Sequence, residues 1–386
     1  MKKRILAIGA YERDNFGDLL FFQLLKSFLK NHDVIAGSIM YSDMRPTLGD
    51  KVLPYTHLLE EHVWDAVWVV GGEVGGVDID MAYRMSLDRA NIDIYDKLSP
   101  AKKSLVQQTL SAGSIPEMAY LPELDRIRLV SQPHLIINSV GVANISLMQN
   151  IAHRRRSNKI LRSATALSVR DEQSRRYCER YGIAATLTPD VVHAITKLPE
   201  WKALKKPKAG SRYVSFQISH RLLSSFGRTV VVDTLVDLIR TLKMRVVLVA
   251  AGTAVHHDSY AEYQWVKALV QKKVGDGKLD ILYSRHPSDI VETIVNSALW
   301  IGTSLHGRIV AGAFGVPRVS LENQKVHRYA TTWDADYPSD VLIDDTLTSA
   351  KLALERARSS DAGNERAGQL TELAYRQLVA MKEALV

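Results

Sequence analysis

Short, uninterrupted apolar segments recur along this chain, each followed by a longer amphipathic one, and the alternation breaks off and then restarts near the middle. Arg4–Ala10, Val34–Met40, Ala66–Val70, Leu135–Val140 and Ala166–Val169 read as strands, with a helix over Leu19–Lys30 and helical sequence between the others. Apolar runs without a polar alternate suit parallel strands covered on both faces. After the break, Tyr213–Ile218, Val246–Ala250, Ile281–Tyr283, Leu299–Ile301 and Arg318–Leu321 read as strands, with helices over Thr229–Lys243 and Ala261–Lys272. The break is Pro199 to Gly210, where Lys202, Lys205, Lys206 and Lys208 stand among Pro199, Pro207 and Gly210, a polar and breaker-rich linker. At about 150 residues per domain, the 386 residues also suggest two domains.

The expected architecture is α/β, with two Rossmann-like domains facing a cleft and a C-terminal helix packing back. The first domain spans residues 1–200, the second 211–350, and a helical extension 351–386. Residues 78–130 break the rhythm, and we read them as a largely helical insertion over the C-terminal edge of the first sheet, where ligands of open α/β sheets bind. In the tail, apolar residues at 367, 370, 374, 378, 381 and 385 make one helical stripe. Glycosyltransferases of the two-Rossmann (GT-B) type share this plan, a likeness of fold and not of chemistry.

The one cysteine, Cys178, excludes an intrachain disulfide and disfavours a Cys-built metal site; no metal or organic cofactor is expected. The N-terminal apolar run is too short for a signal peptide, and nothing approaches the roughly 18–20 apolar residues that span a bilayer. The expected location is the cytoplasm. A formal net charge of +8 suits an anionic partner without specifying nucleic acid. The run His153-Arg154-Arg155-Arg156, with Lys159 and Arg162, reads either as a solvated face or as a contact for anionic headgroups or a lipid-linked diphosphate at the inner membrane face. It lacks the interleaved aromatics of a single-strand nucleic-acid site.

Six loops at strand ends carry polar groups. Gly9 to Asp18 leads from the first strand into the first helix; Asn15 or Asp18 can cap it and Gly17 frees the backbone, but no dinucleotide fingerprint is present. Gly71-Gly72-Glu73-Val74-Gly75-Gly76 allows close approach to the backbone and projects Glu73. Ser168-Val169-Arg170-Asp171 ends a strand, and Arg170 offers a bidentate fork to phosphate or carboxylate, or else a structural pair with Asp171. Asp190, after Pro189, faces an acceptor hydroxyl or its own turn. Gln217, His220 and Arg221 leave the first strand of the second domain, where a cleft lining belongs. In Gly302-Thr303-Ser304-Leu305-His306-Gly307-Arg308 a strand ends, a small-residue turn presents Ser304 and His306, and a helix begins. Its amides with His306 and Arg308 suit a phosphate, and a histidine near neutrality can move protons. Lys325 follows shortly.

Taken in order, Asn15-x-Gly17-Asp18, Gly71-Gly72, Ser168-Val169-Arg170-Asp171, Pro189-Asp190, Ser304-Leu305-His306-Gly307, Gly315-Val316-Pro317 and Lys325 resemble the polysaccharide pyruvyl transferase family. The resemblance runs from Tyr11 to about Lys325. It implies transfer of a pyruvyl unit from phosphoenolpyruvate to a sugar diol, on a polysaccharide, an oligosaccharide or a lipid-linked glycan. It implies His306 as general acid and base, and Arg170, Ser304, Leu305, Gly307, Arg308 and Lys325 around the donor. Asn15, Gly17, Asp18, Gly71, Gly72, Glu73, Asp190, Gln217, His220 and Arg221 would line the acceptor side. The family pattern has Arg two residues before the histidine; here Ser304 stands there, and Arg308, one turn on, is the expected substitute. Two other readings stay open: a glycosyltransferase using a nucleotide sugar, with Glu322 on the ribose, and a non-catalytic glycan-binding protein.

Overall fold

The computed structural model describes residues 2–204, 213–254, 257–359 and 362–385. Lys205, Lys206, Pro207, Lys208 and Gly210 of the expected linker lie outside the described residues. The chain forms two compact units, Met1–Val191 with Leu373–Val386, and Val192–Glu372. The change of unit at Val191/Val192 thus precedes Pro199, which opens a short helix, Pro199–Lys202, within the second unit.

The first unit holds β1 (Arg4–Ile8), β2 (Asp33–Ser38), β3 (Ser42–Asp43), β4 (Lys51–Pro54), β5 (Ala66–Val70), β6 (His134–Val140), β7 (Ala166–Val169) and β8 (Thr186–Leu187). Their order in the sheet is β3-β4-β2-β1-β5-β6-β7-β8. All neighbours run parallel except β3 with β4. All five residues of β5 are buried, as a strand between two helical layers requires. The long apolar strands appear near their expected bounds; the edge strands β3 and β8, of two residues each, and β4 beside β3 were not anticipated. The chain leaves β1 towards β2 and returns to the other side of β1 as β5, so a topological switch point opens beyond the C-terminal ends of β1 and β5.

Between β5 and β6 the predicted insertion forms three helices, Ile79–Ser86, Arg89–Asp96 and Pro100–Ser111. It covers the C-terminal end of the sheet: the Tyr83 hydroxyl donates to the Ile39 carbonyl beyond β2, and the Ser86 hydroxyl to buried Glu12 beyond β1. Ser38 and Tyr120 also donate to Glu12.

The second unit holds β9 (Tyr213–Phe216), β10 (Arg245–Val249), β11 (Leu279–Leu282), β12 (Leu299–Gly302) and β13 (Arg318–Ser320), all parallel, in the order β11-β10-β9-β12-β13. Here the switch point lies between β9 and β12. Helix Thr346–Ser359 packs Ala350 and Ala353 into this unit's core, so the expected extension from residue 351 begins inside an element of the second unit.

The tail stripe is buried at every position: Ala367, Leu370, Ala374, Leu378, Met381 and Leu385. They lie on and just beyond helix Ala362–Glu383. From Leu373 onward it belongs to the first unit, where Tyr375 packs edge-on to Phe28 and the Lys3 ammonium donates to the Leu385 carbonyl.

One buried group makes the fold sensitive to acid. His193 is buried, stacks on Tyr329 at 6.2 Å, and neither ring nitrogen has a hydrogen-bond partner. Burial pushes its pKa from 6.5 down to about 3, so the folded chain holds it neutral while the unfolded chain takes up a proton below 6.5. Stability is therefore lost as pH falls between those two values. His193→Leu removes that linkage and two unsatisfied atoms. The expected result is a smaller fall in melting temperature from pH 7 to pH 5 than in the wild type, measured by calorimetry.

Candidate functional site

Polar side chains gather beyond the strand ends in each unit. In the first, Asn15 caps helix Phe16–Phe28, its side chain accepting from the Gly17 amide at 3.1 Å, and Asp18 lies in the first turn. A carboxylate there is favoured by the helix dipole. Gly71 and Gly72 both take left-handed backbone, which turns the chain out of β5 beside Asp18. Glu73 then bridges to Gly141 beyond β6.

Arg170 does not present a fork to solvent. It is 1% exposed, and its guanidinium donates to Glu73 and Asp190, each at 3.3 Å. Asp190 is fully buried, which supports the pairing with its neighbours over a direct role at a surface. Asp171 caps helix Glu172–Arg180 instead, accepting from the Ser174 amide at 2.8 Å. Arg170 is thus a buried counter-ion holding two carboxylates in place, not an exposed donor contact. Sequence reading missed Asn138 and Ser139. Ser139 is buried at φ +54°, its amide donates to Ser168 at 2.8 Å, and its hydroxyl donates to Asn138 at 3.0 Å. Their one signal is a polar pair at the end of an otherwise apolar strand.

The basic run falls on helix Ile151–Ser163, and much of its charge is matched within the unit. Arg156 pairs with Glu117 and Glu123, Lys159 with Asp125, and His153 lies against Asp78. Cys178 is buried, and burial pushes its thiol up to about 11, away from reactivity.

In the second unit the switch point between β9 and β12 collects a tighter set. Helix Leu305–Ala313 starts at the end of β12, capped by Ser304, whose hydroxyl accepts from the Gly307 amide at 3.2 Å. Gly307 serves packing: a Cβ there would lie 2.1 Å from the Trp300 ring. Leu305 is buried, and His306 stands in the first turn with slight exposure. Beyond β13, Asn323 caps helix Gln324–Trp333 by accepting from the Lys325 amide at 3.0 Å, and its side-chain amide donates to the Thr303 carbonyl at 2.9 Å. That bond ties the head of the helix bearing exposed Lys325 to the turn bearing His306. Asn323 was not singled out in the sequence.

Two expected site residues of this unit, Gln217 and Arg308, are turned inward. Gln217 is 2% exposed, enclosed by Thr303 and Asp258. His220 and Arg221 open helix His220–Phe226, where His220 lies 3.4 Å from Glu262. Arg308 turns inward and is 1% exposed. Its Nε donates to the Asp334 carboxylate at 2.8 Å. Its terminal nitrogens donate to the Ser320 hydroxyl at 3.0 Å, the Pro338 and Tyr337 carbonyls at 2.8 Å, and the Asp334 carbonyl at 2.9 Å. All five guanidinium donors are engaged within the protein. Arg308 therefore does not stand in for the family's missing arginine. Arg318 also grips Asp334. Burial would raise the Asp334 carboxyl, but Arg318 and Arg308 hold it below its usual range.

Among the described residues, no group of three His, Cys, Asp or Glu side chains is arranged to hold a metal ion, and no helix is long and apolar enough to cross a membrane.

The family model for polysaccharide pyruvyl transferase matches residues 15–325. No curated protein sequence matches the chain. Among solved structures, the UDP-N-acetylglucosamine 2-epimerase of Rickettsia bellii is similar with a TM-score of 0.57 at 13% identity, over 98% of this chain and 96% of that one. The UDP-GlcNAc 2-epimerase of Neisseria meningitidis, bound to UDP-GlcNAc, has a TM-score of 0.54 at 11% identity, over 98% of this chain and 100% of its own. That of Methanocaldococcus jannaschii, in complex with UDP-GlcNAc and UDP, has 0.52 at 13%, over 96% and 99%. The likeness is one of fold, the α/β, GT-B-like class expected from the sequence.

Arg308→Ala leaves Asp334 with a lone buried counter-ion and several acceptors without donors. The expected cost is about 3–5 kcal/mol of stability, read by urea denaturation. A loss of about 0.5 kcal/mol or less, the scale of an exposed substitution, would mean that the inward network is not formed.

Proposed function

The chain belongs to the polysaccharide pyruvyl transferase family, and from that premise we propose that it transfers a pyruvyl group from phosphoenolpyruvate to two hydroxyls of a carbohydrate, closing a pyruvate ketal. The supporting observation is the convergence, beyond β12 and β13, of His306, the first-turn amides of helix Leu305–Ala313, and Lys325 at the head of helix Gln324–Trp333, with Asn323 bonded across. Phosphoenolpyruvate carries a phosphate and a carboxylate. Two helix N-termini and a lysine ammonium offer aligned N–H groups and positive charge to such a ligand. Ser304 contributes by holding the first turn, and Lys325 supplies the cation that Arg308 cannot.

In the proposed reaction His306, protonated, delivers a proton to the methylene carbon of phosphoenolpyruvate. The C2 centre becomes oxocarbenium-like, and an acceptor hydroxyl adds to it while its proton passes to His306. Phosphate then leaves with the C–O bonding pair, taking up the proton held by His306, and the second hydroxyl adds to the same carbon while its proton passes to the neutral histidine, completing the ketal. The histidine thus acts as acid and then base. The acceptor is a carbohydrate diol. Phosphoenolpyruvate is a cytoplasmic metabolite, which puts the reaction there.

A sugar nucleotide is the competing donor, because similar folds were solved with UDP-GlcNAc. A ligand that binds only the folded state adds RT ln(1 + [L]/Kd) to its stability. Phosphoenolpyruvate should therefore raise the melting temperature, and a shift produced by UDP-GlcNAc alone would favour the competitor. Lys325→Ala should raise KM for phosphoenolpyruvate by roughly tenfold, the scale of one lost charged hydrogen bond.

His306→Ala and His306→Gln should both fold and both lower turnover by roughly a hundredfold or more, since neither side chain moves a proton at neutral pH. Near-normal turnover by a well-folded alanine variant would remove His306 from the chemistry. Absence of pyruvyl transfer by the wild type, with glycan still bound, would leave the non-catalytic reading.

A further inference from the structure

Thr303 is the residue between β12 and the Ser304 cap, and its peptide groups are held from both sides. Its carbonyl accepts from Asn323, as described above. Its amide donates to Gln217 Oε1 at 2.8 Å, and its hydroxyl donates to the same oxygen at 3.0 Å. Gln217 comes from the loop beyond β9, across the switch point. Its Nε2 donates to both carboxylate oxygens of Asp258, at 2.9 and 3.1 Å. Asp258 in turn accepts from the Ala251 amide beyond β10. Gln217, Asp258 and Thr303 are all buried.

The chemistry of the partners allows one orientation of the Gln217 amide. A carboxylate accepts only and a backbone N–H donates only, so the NH2 must face Asp258 and the oxygen must face Thr303. The approach itself needs Gly302: a Cβ there would lie 2.9 Å from Gln217 Cβ and 3.0 Å from its Oε1. The strand end, the glutamine and the aspartate are thus mutually adapted. The line Asp258–Gln217–Thr303–Asn323–Lys325 runs through loops beyond β10, β9, β12 and β13, and His306 sits three residues past its midpoint.

We infer that Gln217, oriented by Asp258, is a positioning residue that fixes the Thr303–His306 turn and so sets where His306 and the first-turn amides stand. Its effect on turnover rests on the reading of His306 given above; its effect on the turn does not. Misplacement of a reacting group by about 1 Å can cost roughly a hundredfold in rate, so a modest loosening of this turn reaches the chemistry.

The test exploits the polarity of the contact. Gln217→Glu sets a second carboxylate against Asp258. Asp258→Asn added to it returns a donor to that contact, while the carboxylate introduced at position 217 still accepts from Thr303; the double variant Q217E/D258N is therefore a reversed copy of the native pair. Gln217→Leu keeps the bulk and removes both bonds. Each protein is assayed for kcat and KM, for melting temperature, and for amide hydrogen exchange over residues 303–307. Q217E and Q217L should lose roughly tenfold or more in kcat, with faster exchange in the turn, and Q217E/D258N should recover both to within about threefold. If folded Q217L matches the wild type in exchange and kcat, or if the double variant is no better than Q217E in either, the positioning role is wrong. A wild type without pyruvyl transfer would sink the proposed reaction instead, and the exchange pattern across the four proteins would still decide the role of Gln217.

Discussion

A parallel strand covered by helices on both faces has no surface left for chemistry except beyond its ends, and both units of this protein are built under that constraint. The cores absorb most residues of the central strands, and many polar residues stand on the loops that leave them. In each sheet the chain changes direction once, between β1 and β5 and between β9 and β12. At those points adjacent loops diverge, and the side chains they carry are not crowded out by a crossover. Asp18 and Glu73 gather near one switch point; Gln217, Ser304 and His306 gather at the other.

The same constraint decides what becomes of the arginines. A guanidinium one turn beyond a strand end can reach out to an anion or fold back onto buried acceptors. Arg308 folds back because Asp334, the Ser320 hydroxyl and the carbonyls of Tyr337 and Pro338 together offer a complete set of acceptors in place. Arg170 does so because Glu73 and Asp190 flank it. Neither pairing adds much net stability over an apolar core, but each makes the loss of one partner costly. Exposed Lys325 stands instead at the head of the helix beyond β13.

Much of the fold was legible in the residues. Runs such as Ala66–Val70 and Ala166–Val169 carry their strand character locally, and the tail stripe from Ala367 to Leu385 shows its buried face by spacing alone. Strands of two residues are too short to carry a period, so the edge strands β3 and β8 were not seen. Part of the candidate site was legible too. The turn from Ser304 to Gly307 stands out because a strand, small residues and a helix start follow in order. Asn323 and Asp258 do not stand out, because a capping asparagine and a loop aspartate look the same whether or not a distant backbone group meets them.

What the sequence alone determined is the periodicity, the positions of strand ends, and hence the set of residues that can stand near chemistry. Which of them face solvent, which pair with one another and which hold others in place was decided only by the tertiary structure. The direction of a long polar side chain depends on acceptors brought from elsewhere in the chain. Arg308 meets Asp334 across 26 residues, and Gln217 meets Thr303 across 86. Those encounters exist only after the parallel strands have set their order, and a local pattern holds no record of them.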